Sequence, residues 1–295
     1  EISYQPFFEI SSVLRELVLD EKNSSAKNDR IALLCELKRI HLLGKIPSKR
    51  LDKNGNIISY QAKNGGGYTL EAELGIIPNG IAEPDFHGWE VKQFGVKKFA
   101  LTDSKALTLM TPEPDGGIYK TQGVIDFIIK YGHKSSSSRF DFTGIHKVGV
   151  LQHGTGLTIE LRGFDRASGQ LVDAKGAICL IDKADNVVAS WSFAKLIDHW
   201  KRKHARAVYI PSILTDLESG IRAYHYGNIV RLFQRSDINK LLQQMSAGIV
   251  YYDPGIKVED IYTRPKPKLR NQIRIKSKNL GSLYDVSEIV DLLDV

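Results

Sequence analysis

Two carboxylates and a lysine lie close together in one short stretch and could do hydrolytic chemistry. Residues 84–92 read Pro-Asp-Phe-His-Gly-Trp-Glu-Val-Lys and contain Asp85, Glu90 and Lys92. Alternate side chains of a strand share a face, so Glu90 and Lys92 lie together and Asp85 can reach them. Adjacent carboxylates repel unless a cation neutralises them, and all-oxygen ligation suits Mg²⁺ or Mn²⁺. A lysine beside such a metal could orient or deprotonate a water that attacks phosphorus.

The same residues also fit a structural interpretation, an ordinary strand with an exposed Glu90–Lys92 salt bridge. His87 lies in the stretch, but imidazole is an unusual Mg²⁺ ligand, and no Cys/His cluster indicates zinc. Taken alone, the stretch is compatible with either a metal site or a structural salt bridge.

Positive charge is concentrated near the end of the sequence. The net charge is +7, and the segment 264–278 contains seven Lys and Arg and no acidic residue. Without these seven, 34 of the 41 basic residues remain, which equals the 34 Asp and Glu. Such a segment predicts contact with a polyanion such as nucleic acid, although a solvated surface fits as well.

Length and composition restrict the class of protein. The 295 residues, 42% hydrophobic and 25% charged, are typical of one large or two modest globular domains. No apolar run is long enough to span a membrane, and the first residues do not resemble a secretory signal. Cys35 and Cys179 cannot form a disulfide framework and are expected to be small core thiols. A reducing, cytoplasmic location follows as the expectation.

The periodicity of apolar residues predicts a mixed fold. Asn54-Gly55 predicts a hairpin turn within 49–61. Gly65-Gly66-Gly67 is expected to be either a flexible opening segment that lets backbone approach a phosphate, or a plain hinge. Strands are predicted over 88–94, 104–111, 145–152, 155–163, 171–181, 186–192, 206–213 and 248–252, and helices over 7–20, 28–43, 68–74, 119–131, 193–203, 228–246 and 286–293. The elements do not alternate strictly, which favours an α/β or α+β class around a mixed sheet.

Three motifs at fixed separations extend the catalytic stretch. They are Gly65-Gly66-Gly67-Tyr68-Thr69-Leu70-Glu71, then Pro84-Asp85-Phe86, then Glu90-Val91-Lys92. This pattern resembles the MvaI/BcnI family of restriction endonucleases, relatives of the nicking enzyme MutH within the PD-(D/E)XK nucleases. Similar segments continue at 107–111, 191–196, 248–250 and 272–275, so the resemblance covers roughly residues 62–280.

The resemblance implies a fold, a domain organisation and an activity. The fold would be a restriction-endonuclease-like core, a mixed β-sheet flanked by helices. Residues 1–60 would form an N-terminal helical and hairpin extension. Residues 61–295 would form the nuclease domain, with a catalytic lobe over about 61–132 and a DNA-recognition lobe over about 133–295. The activity would be Mg²⁺-dependent cleavage of double-stranded DNA at a short C/G-rich site, with Mn²⁺ as a substitute metal.

The resemblance also implies particular site residues and partners. The catalytic residues would be Glu71, Asp85, Glu90 and Lys92, and the metal would be held by Asp85, Glu90 and Val91. Together with the basic segments, it predicts DNA contacts by Lys134, Arg139, Lys266, Lys268, Arg270, Arg274 and Lys276. The enzyme would act on double-stranded DNA as a monomer and would not associate with a membrane. A cognate DNA methyltransferase would be encoded elsewhere.

Two other functions remain open at this stage. One is a MutH-like nicking enzyme that needs a partner protein. The other is a sequence-specific DNA-binding module whose acidic cluster is only structural. The segment 264–271 departs from the family pattern and only Arg274 matches it well, which affects sequence specificity more than catalysis. Four tyrosines could contact DNA, but packing at the edge of the core is the favoured interpretation: Tyr224, Tyr226, Tyr251 and Tyr252.

Overall fold

The structure, a computed structural model, describes residues 7–9, 15–17, 20–78, 84–103, 105–217 and 220–295, with side chains from residue 26 onward. None of the helices in these ranges is long and apolar enough to cross a membrane. The α-helices are α1 Asp20–Leu42, α2 Gly65–Glu73, α3 Ile118–Thr121, α4 Gly123–Tyr131, α5 Phe193–His204 and α6 Ile238–Ser246, and 3-10 helices span Ser277–Leu283 and Leu292–Asp294.

The strands form several sheets, and with the helices they make the mixed α+β class that the sequence predicts. In the first half they are β1 Phe7–Glu9, β2 Arg15–Leu17, β3 Ile46–Pro47, β4 Lys49–Leu51, β5 Ile57–Ser59, β6 Glu90–Gly95, β7 Ala106–Met110, β8 His133–Ser136 and β9 Arg139–Thr143. In the second half they are β10 Thr158–Arg162, β11 Phe164–Asp165, β12 Gln170–Leu171, β13 Ala177–Ile181, β14 Val187–Ser192, β15 Arg206–Asp216, β16 Arg222–Tyr226, β17 Ile229–Gln234, β18 Val250–Tyr252, β19 Gly255–Glu259, β20 Lys266–Lys268, β21 Ile273–Lys276 and β22 Val286–Asp291.

The chain folds into two compact units that are discontinuous in sequence. The first takes its described residues from Glu1–Gly95, Tyr209–Val230 and Ile289–Val295. The second takes them from Val96–Val208 and Arg231–Glu288. The predicted catalytic and DNA-recognition lobes are, by contrast, continuous segments of the chain. Because those lobes are defined by function, their boundaries stay a prediction.

The first unit contains the sheet that carries the catalytic stretch. Strand β16 pairs antiparallel with β15 and with β3, while β6 also pairs with β15. Helix α1 buries Leu33, Leu34, Leu37 and Ile40, which recur at helical spacing. The predicted hairpin within 49–61 is confirmed as β4 and β5, which pair antiparallel around Asn54-Gly55.

The second unit contains three larger sheets. Their strand orders are β10-β13-β14, β18-β21-β7 and β20-β19-β9-β8. Aromatic side chains fill the core between these elements. Phe127 makes edge contacts with Tyr119 and Phe142 at centroid distances of 5.1 and 4.7 Å, and Trp191 packs on Tyr252 at 5.0 Å. Edge-to-face packing of this kind adds to the stability gained from burial alone.

Three predicted helices are wrong wholly or in part. Within 7–20 the described residues form the antiparallel strands β1 and β2, and residues 10–14 and 18–19 lie outside the described ranges. Within 228–246, strand β17 comes first, because Val230, Leu232 and Phe233 are buried where Ile229 and Arg231 are not. Asp237 then starts helix α6 by accepting the Lys240 N–H at 2.9 Å.

The third misassigned segment is 286–293. It forms β22 followed by a 3-10 turn in which Asp291 Oδ1 accepts the Leu293 N–H at 3.0 Å. β-branched residues at Val286, Ile289 and Val290 favour the strand, although their spacing also fits a helix.

Two predicted strands and one predicted thiol also need correction. Residues 145–152 make only isolated bridges. Residues 171–181 split into β12 and β13 around Gly176, where a Cβ would lie 2.1 Å from the Arg162 carbonyl oxygen. Cys179 is buried as expected, but Cys35 is exposed, because it lies on the side of α1 away from the buried leucines.

Candidate active site

A tight hairpin turn precedes β6 and positions the predicted metal ligands. Phe86 and Trp89 exchange backbone hydrogen bonds with N···O distances of 3.0 and 2.8 Å. Between them, His87 and Gly88 have φ angles of 45° and 72°. Positive φ at both central residues is typical of a type I′ turn, whose twist suits antiparallel strands. Glycine adopts this conformation freely, whereas His87 does so at some cost in backbone strain.

The turn places Asp85 and Glu90 on the two arms of one hairpin. Phe86 pairs with Trp89 in an isolated bridge, so Asp85 and Glu90 are the residues next outward. Asp85 Oδ2 accepts a hydrogen bond of 2.9 Å from the Val91 backbone N–H, which ties its side chain to strand β6. The Asp-x4-Glu spacing is therefore the spacing that puts one carboxylate residue on each arm of a two-residue turn.

Lys92 lies beside Glu90 on the same face of β6. Its Nζ atom is 3.0 Å from Glu90 Oε1, and the two side chains are 19% and 8% exposed. Low exposure strengthens the attraction between the charges and restrains the ammonium group. The salt bridge of the structural interpretation is thus present, but it is largely buried and not exposed as that interpretation expected. It holds the lysine next to the Glu90 carboxylate.

Helix α2, which carries Glu71, packs closely against the sheet through a glycine. A Cβ at Gly66 would lie 2.8 Å from Gln93 Oε1 and 3.0 Å from Tyr224 Cε1. The Tyr226 hydroxyl donates a 2.7 Å hydrogen bond to the Gly66 carbonyl, and burial raises the pKa of Tyr226. Gly66 therefore serves close packing, and the expectation of a flexible opening segment is wrong at this position.

We expect Gly66→Ala to destabilise the free protein, and Gly67→Ala to do the opposite. The added methyl at position 66 must displace Gln93, whose Nε2 donates to Ser212 Oγ at 2.7 Å, so overpacking should cost about 1–3 kcal/mol. A Cβ at Gly67 meets nothing within 4 Å, so alanine should gain up to about 1 kcal/mol of helix propensity. Urea unfolding of both variants checks this pair. Equal effects would contradict the packing role of Gly66.

Two contacts anchor α2 and thereby position Glu71. The Thr69 hydroxyl accepts from the Lys49 N–H at 3.1 Å and donates to the Lys49 carbonyl at 3.2 Å. At the end of the helix, Glu73 binds Lys49 Nζ at 2.6 Å and Arg39 Nη1 at 3.3 Å. Glu71 is half-buried between these anchors, on a helix that packs against β6. Its role in catalysis stays a prediction.

A surface pocket of about 420 Å³ adjoins the hairpin. Residues 74–77, which follow α2, line one side, and Asp85, Phe86 and His87 line the other. His87 Nδ1 also lies 3.3 Å from Asp29 Oδ1 of α1. The pocket gives a substrate group access to Asp85.

The chemistry of the donor set fits a hard divalent cation. Asp85 and Glu90 offer carboxylate oxygens, and Val91 offers a backbone carbonyl on the same strand. Among the described residues, no group of three or more His, Cys, Asp or Glu is arranged to hold a metal ion. Mg²⁺ does not need such a group, because it commonly keeps several waters and binds through one or two carboxylates. The three predicted ligands therefore remain the candidates.

Five of the seven predicted DNA-binding residues meet on one sheet of the second unit. Its strand order is β20-β19-β9-β8. Lys134 lies on β8, Arg139 on β9, Lys266 and Lys268 on β20, and Arg270 just after β20. The sequence presents these residues as two distant segments, and the sheet brings Arg139, Lys266, Lys268 and Arg270 to one face, whereas Lys134 pairs with Phe140 and belongs to the other face. Their contact with DNA stays a prediction.

The other two predicted DNA-binding residues, Arg274 and Lys276, lie on β21. Arg274 Nη1 binds Asp253 Oδ2 at 2.6 Å, and Nη2 donates to the Ala106 carbonyl at 2.9 Å. The Arg274 side chain is 25% exposed. These contacts hold the guanidinium in one orientation, which a group that reads base edges requires.

Asn271 anchors the middle of the basic segment 264–278 and is a residue that the sequence did not single out. It is 1% exposed. Its Oδ1 accepts from the Tyr252 hydroxyl at 2.6 Å, and its Nδ2 donates to the Tyr119 hydroxyl at 3.3 Å. Burial raises the pKa of both tyrosines, so both stay neutral. The partners are distant in sequence, so no local pattern could indicate this network.

Comparison with solved structures indicates the class of protein. The chain is similar to the restriction endonuclease MvaI in complex with its cognate DNA, with a TM-score of 0.64 and 18% identity over 88% of this chain and 96% of that chain. It is also similar to MvaI in the absence of DNA, with a TM-score of 0.46 and 16% identity over 93% and 99% of the two chains. The likeness to the complex shows a restriction-endonuclease fold.

The family follows from the sequence comparison. The model of the MvaI/BcnI restriction endonuclease family matches residues 34–284, and the chain belongs to that family. It is therefore a type II restriction endonuclease, an enzyme that cuts DNA at a specific sequence. Among curated proteins, none matches the chain. The match includes the hairpin with Asp85 and Glu90 and the whole four-stranded basic sheet, and it starts within helix α1.

Proposed function

We propose that this endonuclease hydrolyses double-stranded DNA with a Mg²⁺ ion held by Asp85, Glu90 and the Val91 carbonyl, with Mn²⁺ as a substitute. The observation that carries this proposal is the tight hairpin that carries Asp85 on one arm and Glu90 on the other, with Asp85 tied to the Val91 N–H. Two carboxylates on the arms of one tight turn favour a divalent cation between them. Lys92, at 3.0 Å from Glu90, then completes the catalytic set on the same face.

Each residue has a distinct role in the proposed reaction. Bound Mg²⁺ would supply Lewis acidity, which lowers the pKa of a water and offsets charge that develops on the phosphate. Asp85 and Glu90 would hold the cation, and the Val91 N–H fixes the Asp85 carboxylate for that purpose. Lys92 would orient the attacking water or take up its proton. Glu71 is the proposed further acidic residue of the site. In-line attack would leave a 5′-phosphate and a 3′-hydroxyl.

The target is proposed to be a short C/G-rich site in duplex DNA. Family membership supports this target class, and the basic sheet in the second unit supports binding of a polyanion. We further propose that the enzyme acts as a monomer in the cytoplasm, where a cognate methyltransferase would protect the host DNA. The two free thiols, Cys35 and Cys179, fit a reducing compartment.

Digestion of a supercoiled plasmid by the purified chain tests the proposed reaction. Linear product should form with Mg²⁺ or Mn²⁺ and should disappear when EDTA removes the metal. Product that stops at the open-circular form would favour a MutH-like nicking enzyme instead. Specific binding without any cut, in either metal, would favour a DNA-binding module with a structural acidic cluster.

Arg274→Ala should relax sequence discrimination rather than weaken binding uniformly. A guanidinium can bond guanine O6 and N7 together, and losing that pair costs about 1–3 kcal/mol of discrimination. Affinities for the cognate site and for a site with one guanine replaced, measured at one salt concentration, check this. Arg274→Lys is the matched control, since it keeps the charge without the paired donors. Equal losses on both sites would make Arg274 a phosphate contact.

A further inference from the structure

The four-stranded sheet of the second unit has two faces of opposite character. Phe142, Ile256 and Val258 are completely buried on one face. Because side chains alternate along a strand, the residues between them point the other way. The second face carries five cations, which we call the basic face: Arg139, Lys257, Lys266, Lys268 and Arg270.

The strand register places two of these cations directly opposite each other. Lys257 of β19 pairs with Lys268 of β20 and, on its other side, with Asp141 of β9. Asp141 in turn pairs with His133 of β8. One transverse row therefore reads Lys268, Lys257, Asp141, His133. Like charges directly opposite in a sheet are destabilising, so the lysine pair is a feature that folding alone does not favour.

Carboxylates neutralise only part of the basic face. Arg139 is held by Asp141 at 2.6 Å and Lys257 by Glu259 at 2.5 Å. Lys266 lies 2.9 Å from Asp260, an ion pair at the edge of the face. Within the described part of the chain, no carboxylate lies within ion-pair distance of Lys268 or Arg270, and the nearby Lys268 charge contributes only at longer range, after Lys257, to lowering the pKa of Glu259. The excess positive charge is thus concentrated at one end of the face.

A pocket of about 340 Å³ opens at this end. It is lined by Lys257, Lys268 and Arg270 together with Arg139, Asp141, Thr143 and Gly255. Gly255 has no side chain, and the Arg270 side chain lies 3.7 Å from where its Cβ would be. The glycine therefore leaves the floor of the pocket open next to three cations.

We propose that this pocket binds a backbone phosphate of duplex DNA between Lys257 and Lys268, with Arg270 beside it. Lys257 is a DNA contact that the basic run at 264–278 does not indicate, because it lies outside that run. The inference rests on the proposed function and specifies where on the second unit the DNA backbone lies. Glu259 is a single carboxylate beside the two lysines, and a bound phosphate would offset the positive charge that remains.

The chemistry favours a phosphate over a base edge. Lysines are point charges on flexible stems, and they bind phosphate oxygens without fixed geometry. Two arginines flank the lysine pair on this face: Arg139 donates to Asp141 through Nε and Nη2, and Arg270 lines the same pocket and can add a bond to the phosphate. The site should therefore contribute to binding of any DNA sequence.

Salt titrations of DNA binding by Lys257→Gln and Lys268→Gln test this site. The probes are a fluorescent duplex with the mapped cleavage site and a scrambled duplex of equal length, both in Ca²⁺. Each variant should flatten the slope of log affinity against log salt by about one unit. If a variant and the wild type bind equally at about 1 M salt, this change in slope makes the variant bind about eightfold more weakly than wild type at about 0.1 M salt. The loss should be equal for both duplexes. Lys183→Gln, in the exposed turn between β13 and β14, is the matched control and should change neither.

Thermal unfolding of the free protein supplies a second readout. Lys268 has no ion pair to lose in the described structure, so Lys268→Gln should unfold at a temperature no lower than wild type. Weaker binding together with a lower midpoint would make Lys268 a structural residue and overturn the proposal.

The binding results separate this site from the proposed function. Unchanged salt slopes in both variants, with normal wild-type binding, would remove the phosphate site and leave the endonuclease intact. Loss confined to the cognate duplex would also overturn it, since that is the behaviour of a base contact. A wild-type protein that binds no duplex would overturn both.

Discussion

Asp85→Asn and Glu90→Gln should each lower single-turnover cleavage by about three orders of magnitude or more, while DNA binding in buffer without divalent metal stays near normal. The hairpin carries these carboxylates on its two arms, and each is a proposed ligand of the same ion. Losing one ligand should remove about 4 kcal/mol or more of transition-state stabilisation, and that corresponds to about a thousandfold in rate. Quench-flow or gel assays with enzyme in excess over DNA measure the chemical step directly.

Glu73→Gln is the matched control for these two variants. Glu73 is 10% exposed and ion-paired with Lys49, much as Glu90 is 8% exposed and paired with Lys92. Its replacement removes a comparable buried carboxylate from the same unit and affects the proposed site only through the anchoring of α2, which carries Glu71. Glu73→Gln should therefore slow cleavage far less than Asp85→Asn or Glu90→Gln under conditions where it is folded. Near-normal cleavage by Asp85→Asn or Glu90→Gln would show that the metal site has been assigned to the wrong residues.

Lys92→Ala should depress the chemical step by about 10²–10⁴-fold and leave DNA affinity largely unchanged. The proposed role of its ammonium group is to orient or deprotonate water, and positioned acid–base groups contribute about this much. Lys92 is only 19% exposed and is held 3.0 Å from Glu90, so it is preorganised for the task. The rate at saturating enzyme and the dissociation constant, measured separately, distinguish the two effects.

Lys49→Ala controls for the loss of a half-buried lysine in the same unit. Lys49 is 23% exposed and binds Glu73 at 2.6 Å, so its removal breaks a similar ion pair at the anchor of α2 and should slow the chemical step far less than Lys92→Ala does. If Lys92→Ala binds DNA poorly but cuts at the normal rate at saturation, Lys92 is a phosphate contact. That result would contradict its proposed role in orienting or deprotonating water.

Local sequence predicted much of the catalytic stretch and little of its geometry. The period-two alternation indicated β6 and the shared face of Glu90 and Lys92, both of which the structure has. The spacing alone did not reveal the type I′ turn, because His87 at positive φ is a conformation that histidine rarely adopts. The pairing of Asp85 with Glu90 therefore required the structure.

Elsewhere, tertiary contacts decided between patterns that sequence leaves ambiguous. Val286, Ile289 and Val290 fit a helical spacing, yet they form strand β22. By contrast, the preference for packing over DNA contact is consistent with the burial of all four tyrosines, which are 1–7% exposed: Tyr224, Tyr226, Tyr251 and Tyr252. Short apolar runs can satisfy both periods, and packing partners far along the chain select one of them.

The predicted DNA-binding surface was likewise only partly predictable from local sequence. Net charge identified the segment 264–278, since composition registers a dense basic run. Net charge could not identify Lys257, because it is a single lysine outside that segment. The alternation of Lys257, Val258 and Glu259 is the only local indication that Lys257 lies on one face of a strand. Pairing with Lys268 across β19 and β20 is a long-range contact, which only the fold supplies.

Digestion of unmethylated phage DNA with Mg²⁺, followed by sequencing of the fragment ends, tests the central claim most directly when wild type and Glu90→Gln are run side by side. The wild-type chain should give discrete fragments that all end at one short C/G-rich sequence, with 5′-phosphates and 3′-hydroxyls, and Glu90→Gln should give none at the same enzyme concentration. Fragment ends without a common sequence, or the same fragments from Glu90→Gln, would contradict a site-specific endonuclease centred on the Asp85–Glu90 hairpin.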